Sequence, residues 1–193
     1  MEISDPTETA APTPGPARYR IRFALGLALP IIGLVGVIIA AARIDDHRST
    51  DPVRLPTNQA AAPAAPSPEC TSLLAAMPDE LGDYPTARIA EPVPPGTHAW
   101  RRSDGTAPIV LRCGLDRPPE FTVGAALQQV DGVLWFEAAN PDPTTSTWYA
   151  VDRAVYVTLS LPRDAGPTPL QVVAEAITAA LPARPIDPAP VPG

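Results

Sequence analysis

Lysine is absent from the 193-residue chain: all 14 basic residues are arginine. With the abundant alanine and proline this matches the codon bias of a GC-rich genome, so no single arginine is singled out by its type alone. Histidine is almost absent too, with two copies, His47 and His98. Zinc takes three or four clustered Cys, His or carboxylate ligands, and the sequence offers no such grouping, so no metal site is expected. Asp79, Glu80 and Asp83 lack the spacing of a calcium loop and read as a solvated turn. No glycine-rich phosphate cradle occurs and no cofactor is expected. No serine lies in a G-x-S-x-G turn; Ser103 and Asp104 follow His98 closely, but nothing around them supports a triad. Positive charge is scarce, with a net charge of −7 and a pI near 4.7. A nucleic-acid partner, which calls for a basic face, is therefore not expected.

What the chain does contain is proline, 28 residues of it, concentrated away from the middle. A length of 193 residues suits one domain plus extensions. Residues 1–20 read as a disordered cytoplasmic tail and residues 21–42 as a transmembrane anchor. The uncharged run from Phe23 to Ala42 spans about 30 Å as a helix, the thickness of a bilayer core. A buried core helix of that length would show a polar face, and a cleaved signal peptide would have a shorter apolar region. Small residues at Ala40, Ala41 and Ala42 keep cleavage open as an alternative. Arg18, Arg20 and Arg22 crowd one flank, while Arg43, Arg48 and Arg54 are spread over the other, a mild bias toward a cytoplasmic N-terminus. Gly36 and Ala40 form a small-xxx-small pair, a pattern found where membrane helices associate but common in any alanine-rich span.

Residues 43–68 are rich in proline and alanine and read as a tether, about 28 Å long as a flexible coil or about 80 Å as polyproline II. Residues 69–183 read as the folded domain and residues 184–193 as a second disordered tail. The domain opens on a short helix capped by Ser67, started at Pro68 and ended by Pro78. The stretch from Pro78 to Gly96 reads as a loop. Six strand-like runs follow: 97–101, 108–113, 127–130, 133–138, 147–151 and 154–161. Asp131-Gly132 is a strong two-residue hairpin signal and Asp152-Arg153 a weaker one. A closing helix starts at Thr168 and Pro169, with Gln171 completing a capping box, and carries Leu170, Val173, Ala174, Ile177 and Leu181 on one face. The fold class is α+β: a small antiparallel sheet with a helix at each end of the domain packed on one face.

The two cysteines, Cys70 and Cys113, sit on the first helix and on the PIVLRC strand. If the side of that strand carrying Ile109 and Leu111 faces the helices, the thiols enter one layer and a disulfide is expected, as suits an oxidising compartment. Two unpaired buried thiols are the alternative. Arg112 and Tyr156 point away from that side. Trp135 and Glu137 share one side of their own strand. If these four converge, they make a polar and aromatic binding surface; the alternative is an ordinary solvated sheet face.

The runs PIVLRCG (108–114), VDGVLW (130–135) and DRAVYVTLSLP (152–162) resemble an actinobacterial family of membrane-anchored or secreted proteins known as a domain of unknown function, over about residues 69–182. That resemblance implies the architecture, an actinobacterial source and the cysteine pair, and no activity. The expected function is a non-enzymatic, single-pass membrane protein, its C-terminal domain extracytoplasmic and binding an envelope protein or wall component. A small hydrolase-like envelope enzyme and an accessory subunit of a membrane complex are the alternatives.

Overall fold

A computed structural model describes residues 51–56 and 60–191. Among them no helix is long and apolar enough to cross a membrane, and the expected anchor at 21–42 lies outside the described residues, as does the tail at 1–20. The described residues form eight strands and two helices: α1 (Pro68–Ala75), β1 (Glu80–Leu81), β2 (Tyr84–Pro85), β3 (Thr97–Trp100), β4 (Ile109–Leu115), β5 (Gln128–Val130), β6 (Val133–Ala138), β7 (Thr145–Ala150), β8 (Tyr156–Pro162) and α2 (Thr168–Ala180).

Strands β5 to β8 form a meander, and the β3–β4 hairpin joins it through β4 against β8, giving one antiparallel sheet ordered β3-β4-β8-β7-β6-β5. All six strand-like runs of the sequence are in it. The loop read between Pro78 and Gly96 instead holds the β1–β2 hairpin, and residues 86 and 87 then run along the edge of β3, where Ala87 N donates to Ala99 O at 2.8 Å. That edge is thereby covered rather than left as a pairing template.

Each strand sends alternate residues to opposite faces. One face carries Ile109, Leu111 and Cys113 of β4, Val157 and Leu159 of β8, Ala150 of β7 and Val133 and Trp135 of β6, all fully buried. The two helices lie on it. α1 contributes Cys70 and Leu73, and Ser67 caps it by accepting from Cys70 N at 3.2 Å. α2 contributes Leu170, Val173, Ala174 and Ile177, the stripe its sequence specifies. Its capping box does not form: the cap residue is Pro167, whose side chain cannot accept, and Thr168 is already the first helical residue; Gln171 N makes the first helical bond, to Pro167 O at 3.2 Å. The disulfide does form, Cys70 to Cys113, pinning α1 to β4.

Asp131 and Gly132 make the β5–β6 turn, both with positive φ (44° and 80°), as a tight hairpin requires. The weaker signal at Asp152-Arg153 is not a two-residue turn. β7 ends at Ala150 and β8 begins at Tyr156, and both residues are buried in the wider connection.

Both proline-rich ends correct the expected boundaries. In the stretch read as a tether, Val53 is fully buried and pairs with Ile89, its N–H donating to Arg88 O at 2.7 Å. Ala64 N donates to Gly114 O at 3.0 Å. In the stretch read as a C-terminal tail, Ala189 bridges Thr122, donating to Phe121 O and accepting from Val123 N, each at 2.9 Å. Proline content suggested solvated coil; backbone pairing holds both segments down instead, helped in the first by the buried Val53 and Ala65. The domain thus takes in the described residues on either side of 69–183.

Gly114 shows how tight the N-terminal docking is. It sits at the shift of register between β4 and β8 with φ 87°, and a Cβ there would fall on the Ala64–Ala65 backbone. Gly114→Ala is expected to destabilise by at least about 2 kcal/mol, through backbone strain and displacement of that segment. Thermal unfolding together with loss of amide-exchange protection at Ala64 checks it; an unchanged Ala64 amide would show that the segment is not held by this contact.

Candidate functional site

The sheet face away from the helices is where the sequence places Arg112 and Tyr156. Register brings its residues into rungs across the strands. Arg112 of β4 pairs with Thr158 of β8, which pairs with Tyr149 of β7, which pairs with Phe136 of β6. The next rung runs Val110, Ser160, Thr147, Ala138. Thr147 Oγ1 and Ser160 Oγ share a hydrogen bond at 3.1 Å, and Asn140 Nδ2 donates to Thr147 Oγ1 at 3.3 Å.

The two docked ends divide this face. Toward β5 and β6 it is apolar, with Phe121, Phe136 and Val151 buried together and the Phe121 and Phe136 rings 5.5 Å apart. Tyr156 lies at this end, and its hydroxyl donates to Asp187 O at 3.4 Å. Arg117 Nη1 holds Asp187 through both the backbone oxygen and Oδ2, each at 3.0 Å. Burial raises the Tyr156 pKa, with Arg117 opposing the shift and Asp187 adding to it. Tyr156 therefore serves to seat the C-terminal segment.

Toward β4 the face is polar. A hollow of about 300 Å³ is floored by Val110, Arg112, Thr147, Tyr149, Thr158 and Ser160 and walled by Leu55, Pro56 and Ala60. It adjoins a groove of about 890 Å³ between two proline-rich segments, residues 54–56 with 60–63 on one side and 90–95 on the other. Arg112 borders both. Its Nη2 donates to Ala60 O at 2.7 Å, the one hydrogen bond of the guanidinium among the described residues, and Nε is buried without an acceptor. No carboxylate pairs with it there. Burial lowers its pKa, and the nearby Tyr149 opposes that shift. Burial likewise raises the Tyr149 pKa, with Glu120 adding to the rise and Arg112 opposing it. A half-buried cation with most of its donor hydrogens unused, set beside neutral hydroxyls, favours an acceptor-rich, negatively charged group.

The four residues read as one surface are not brought together. Trp135 and Glu137 belong to the helix face, because β6 pairs with β7 in the register Trp135 to Ala150 and Glu137 to Trp148. Trp135 is 0 % exposed in the core and cannot meet a partner. Glu137, on that same side, pairs with Arg163 at 3.2 Å across the surface. Arg112 and Tyr156 share the other face but serve different ends of it. Sequence reasoning passed over Thr147 and Tyr149; the T-S-T-W-Y-A run alternates properly, but either of its aromatics could have faced the core.

His98 does not assemble a triad. It lies against Trp100, ring centroids 4.3 Å apart, with Nε2 3.4 Å from Thr86 Oγ1; burial lowers its pKa and Asp79 partly offsets that. Asp104 is engaged elsewhere, with Arg102 Nη2 at 2.9 Å and the Thr106 N–H.

A family described as a protein of unknown function (DUF3515) matches residues 27–186, and the chain belongs to that family. The match reaches beyond residues 69–182 at both ends, taking in all of the docked N-terminal segment and stopping short of Ala189. No curated protein and no solved structure matches the chain.

Proposed function

We propose that this member of the family is a non-enzymatic binding protein of the cell envelope. Residues 21–42 anchor it in the membrane with the N-terminus cytoplasmic, and the domain outside holds an envelope protein or wall component against Arg112. The observation that carries the reading is the half-buried guanidinium between the hollow and the groove, which has no acidic partner among the described residues. Ligand sites combine apolar walls with a few placed polar groups, and this one does so at ordinary ligand-site size. The disulfide supports the location, since stable pairs belong to oxidising compartments. With Val53 docked on the domain, the spacer after residue 42 shrinks to ten residues, 43–52, roughly 35 Å at full extension.

Two measurements test the reading in intact cells. Ser103→Cys puts a thiol on an exposed turn, and a membrane-impermeant maleimide is expected to label it without permeabilisation. Labelling that needs lysis puts the domain inside and ends the proposal. A photoreactive phenylalanine analogue at Tyr149 is then expected to form an adduct with envelope material, and Arg112→Glu to abolish it. An adduct indifferent to Arg112 would place the contact elsewhere.

A further inference from the structure

We infer that the groove beside Arg112 is a carboxylate site, taking a short chain of small uncharged residues that ends in a free carboxyl group, of which a peptide carboxyl terminus is the simplest case. The inference rests on the reading of this domain as a binding module and names its ligand class.

Charge comes first. Among the described residues Arg112 makes one hydrogen bond, to Ala60 O, so a guanidinium with five donor hydrogens is left largely unused by them. The protein groups around it are the hydroxyls of Thr147, Tyr149, Thr158 and Ser160, all neutral at pH 7, and Thr147 and Ser160 already satisfy each other. Arg54 lines the same groove, but Glu91 lines it too, so the net positive charge available is about one. A monoanion balances that. A phosphate dianion is ordinarily held by a cluster of cations or a run of backbone amides, and this groove supplies neither. The chain is acidic overall, at −7, which makes the uncompensated cation stand out and penalises a multiply charged ligand further.

The walls set the rest of the ligand. They are built of proline and alanine: Pro56, Ala61 and Pro63 on one side, Ala90, Pro92 and Pro94 on the other. Among the described residues no aromatic ring lines the groove, so they offer no platform there on which a base could stack. Proline walls lose little entropy on binding and bury small aliphatic groups, while side chains of phenylalanine size would need a deeper recess. Ala60 O already shows the chemistry in miniature, since it is a peptide oxygen of a small apolar segment accepting from Arg112 at 2.7 Å. A ligand carboxylate offers the same acceptor with a full charge, and charge-assisted hydrogen bonds are about twice as strong.

The test uses the full chain in detergent micelles, titrated with trialanine, with trialanine amide and with inorganic phosphate, and followed by calorimetry or amide shifts. Trialanine is expected to bind, with its amide at least tenfold weaker. Arg112→Gln is expected to reduce trialanine binding to the level of the amide, and Arg112→Lys to restore part of it. Acid and amide binding equally, no binding by either, or phosphate binding more tightly than trialanine would each overturn the assignment. Should Arg112→Gln fail to fold, the acid-to-amide ratio on the unmodified chain decides alone. If Tyr149 still crosslinks to envelope material in an Arg112-dependent way while acid and amide bind alike, the ligand class is wrong and the binding function stands.

Discussion

Replacing Cys70 and Cys113 together by alanine is expected to remove about 4 kcal/mol of stability, the loop-closure entropy returned to an unfolded chain no longer tied across 43 residues. Domains of this size have about 5–15 kcal/mol in all, so the melting temperature is expected to fall by on the order of 15 °C. The geometry explains why so much rests on one bond. α1 is eight residues long and buries only Cys70 and Leu73 fully, too little to hold a helix of two turns against the sheet on its own. Its anchor is β4, the strand that also carries Arg112 one residue before Cys113. Loss of the bridge is therefore expected to loosen Ser67 to Ala75 first, and with it the Ala64–Ala65 backbone seated on Gly114. Thermal unfolding of the double variant, beside the parent in strong reductant, provides the measurement. A loss below about 1 kcal/mol in both would mean that packing alone fixes α1.

Strand positions were legible because the signals were local. Val155, Val157, Leu159 and Leu161 alternate with Ala154, Tyr156, Thr158 and Ser160, and the apolar row faces the helices. Asp131-Gly132 could be read because two successive positive-φ residues leave few other choices. The cysteine pair followed from the parity of Cys113 with Ile109 and Leu111. Strand β6 was less legible. V-L-W-F-E-A has large apolar groups on both sides because the second face is also covered, around Phe136 and Phe121, so alternation does not say which side holds the helices. Trp135 was assigned to the wrong face for that reason. The docked ends were illegible for a different one. Their sequences carry the composition of solvated coil, and their order comes from single long-range pairings, Val53 with Ile89 and Ala189 with Thr122, which no periodicity records. One wall of the candidate groove lies in the first of these segments, so half of that site could not be read from the sequence.

Arg153→Met is expected to cost about 3–5 kcal/mol, close to the effect of the disulfide, because it leaves a buried carboxylate without its cation. Asp152 and Arg153 read in the sequence as a weak two-residue turn signal, and their side chains are 8 % and 1 % exposed. Nη1 lies 2.8 Å from Asp152 Oδ1, a charge contact whose angle falls outside hydrogen bonding, and donates to Asp152 O at 3.0 Å. Nη2 donates to Gly132 O at 3.0 Å and to Thr178 Oγ1 at 3.3 Å, and Thr178 Oγ1 in turn donates to Asp131 O at 2.9 Å. One guanidinium thus ties the β7–β8 connection to the β5–β6 turn and to α2, and Asp152 O also accepts from Arg184 N at 2.8 Å, where the C-terminal segment leaves. Arg153→Lys should recover only part of the loss, since a single ammonium on a flexible stem does not reproduce a planar fork. The Asp152→Asn, Arg153→Met pair should be more stable than Arg153→Met alone, because the stranded charge is gone, and the double-mutant cycle should show coupling above about 1 kcal/mol. Additive losses would mean that the two side chains act separately, Arg153 through its carbonyl contacts only. In that event the tie between the two hairpins would owe its strength to hydrogen bonding, and Asp152→Asn alone would be nearly silent.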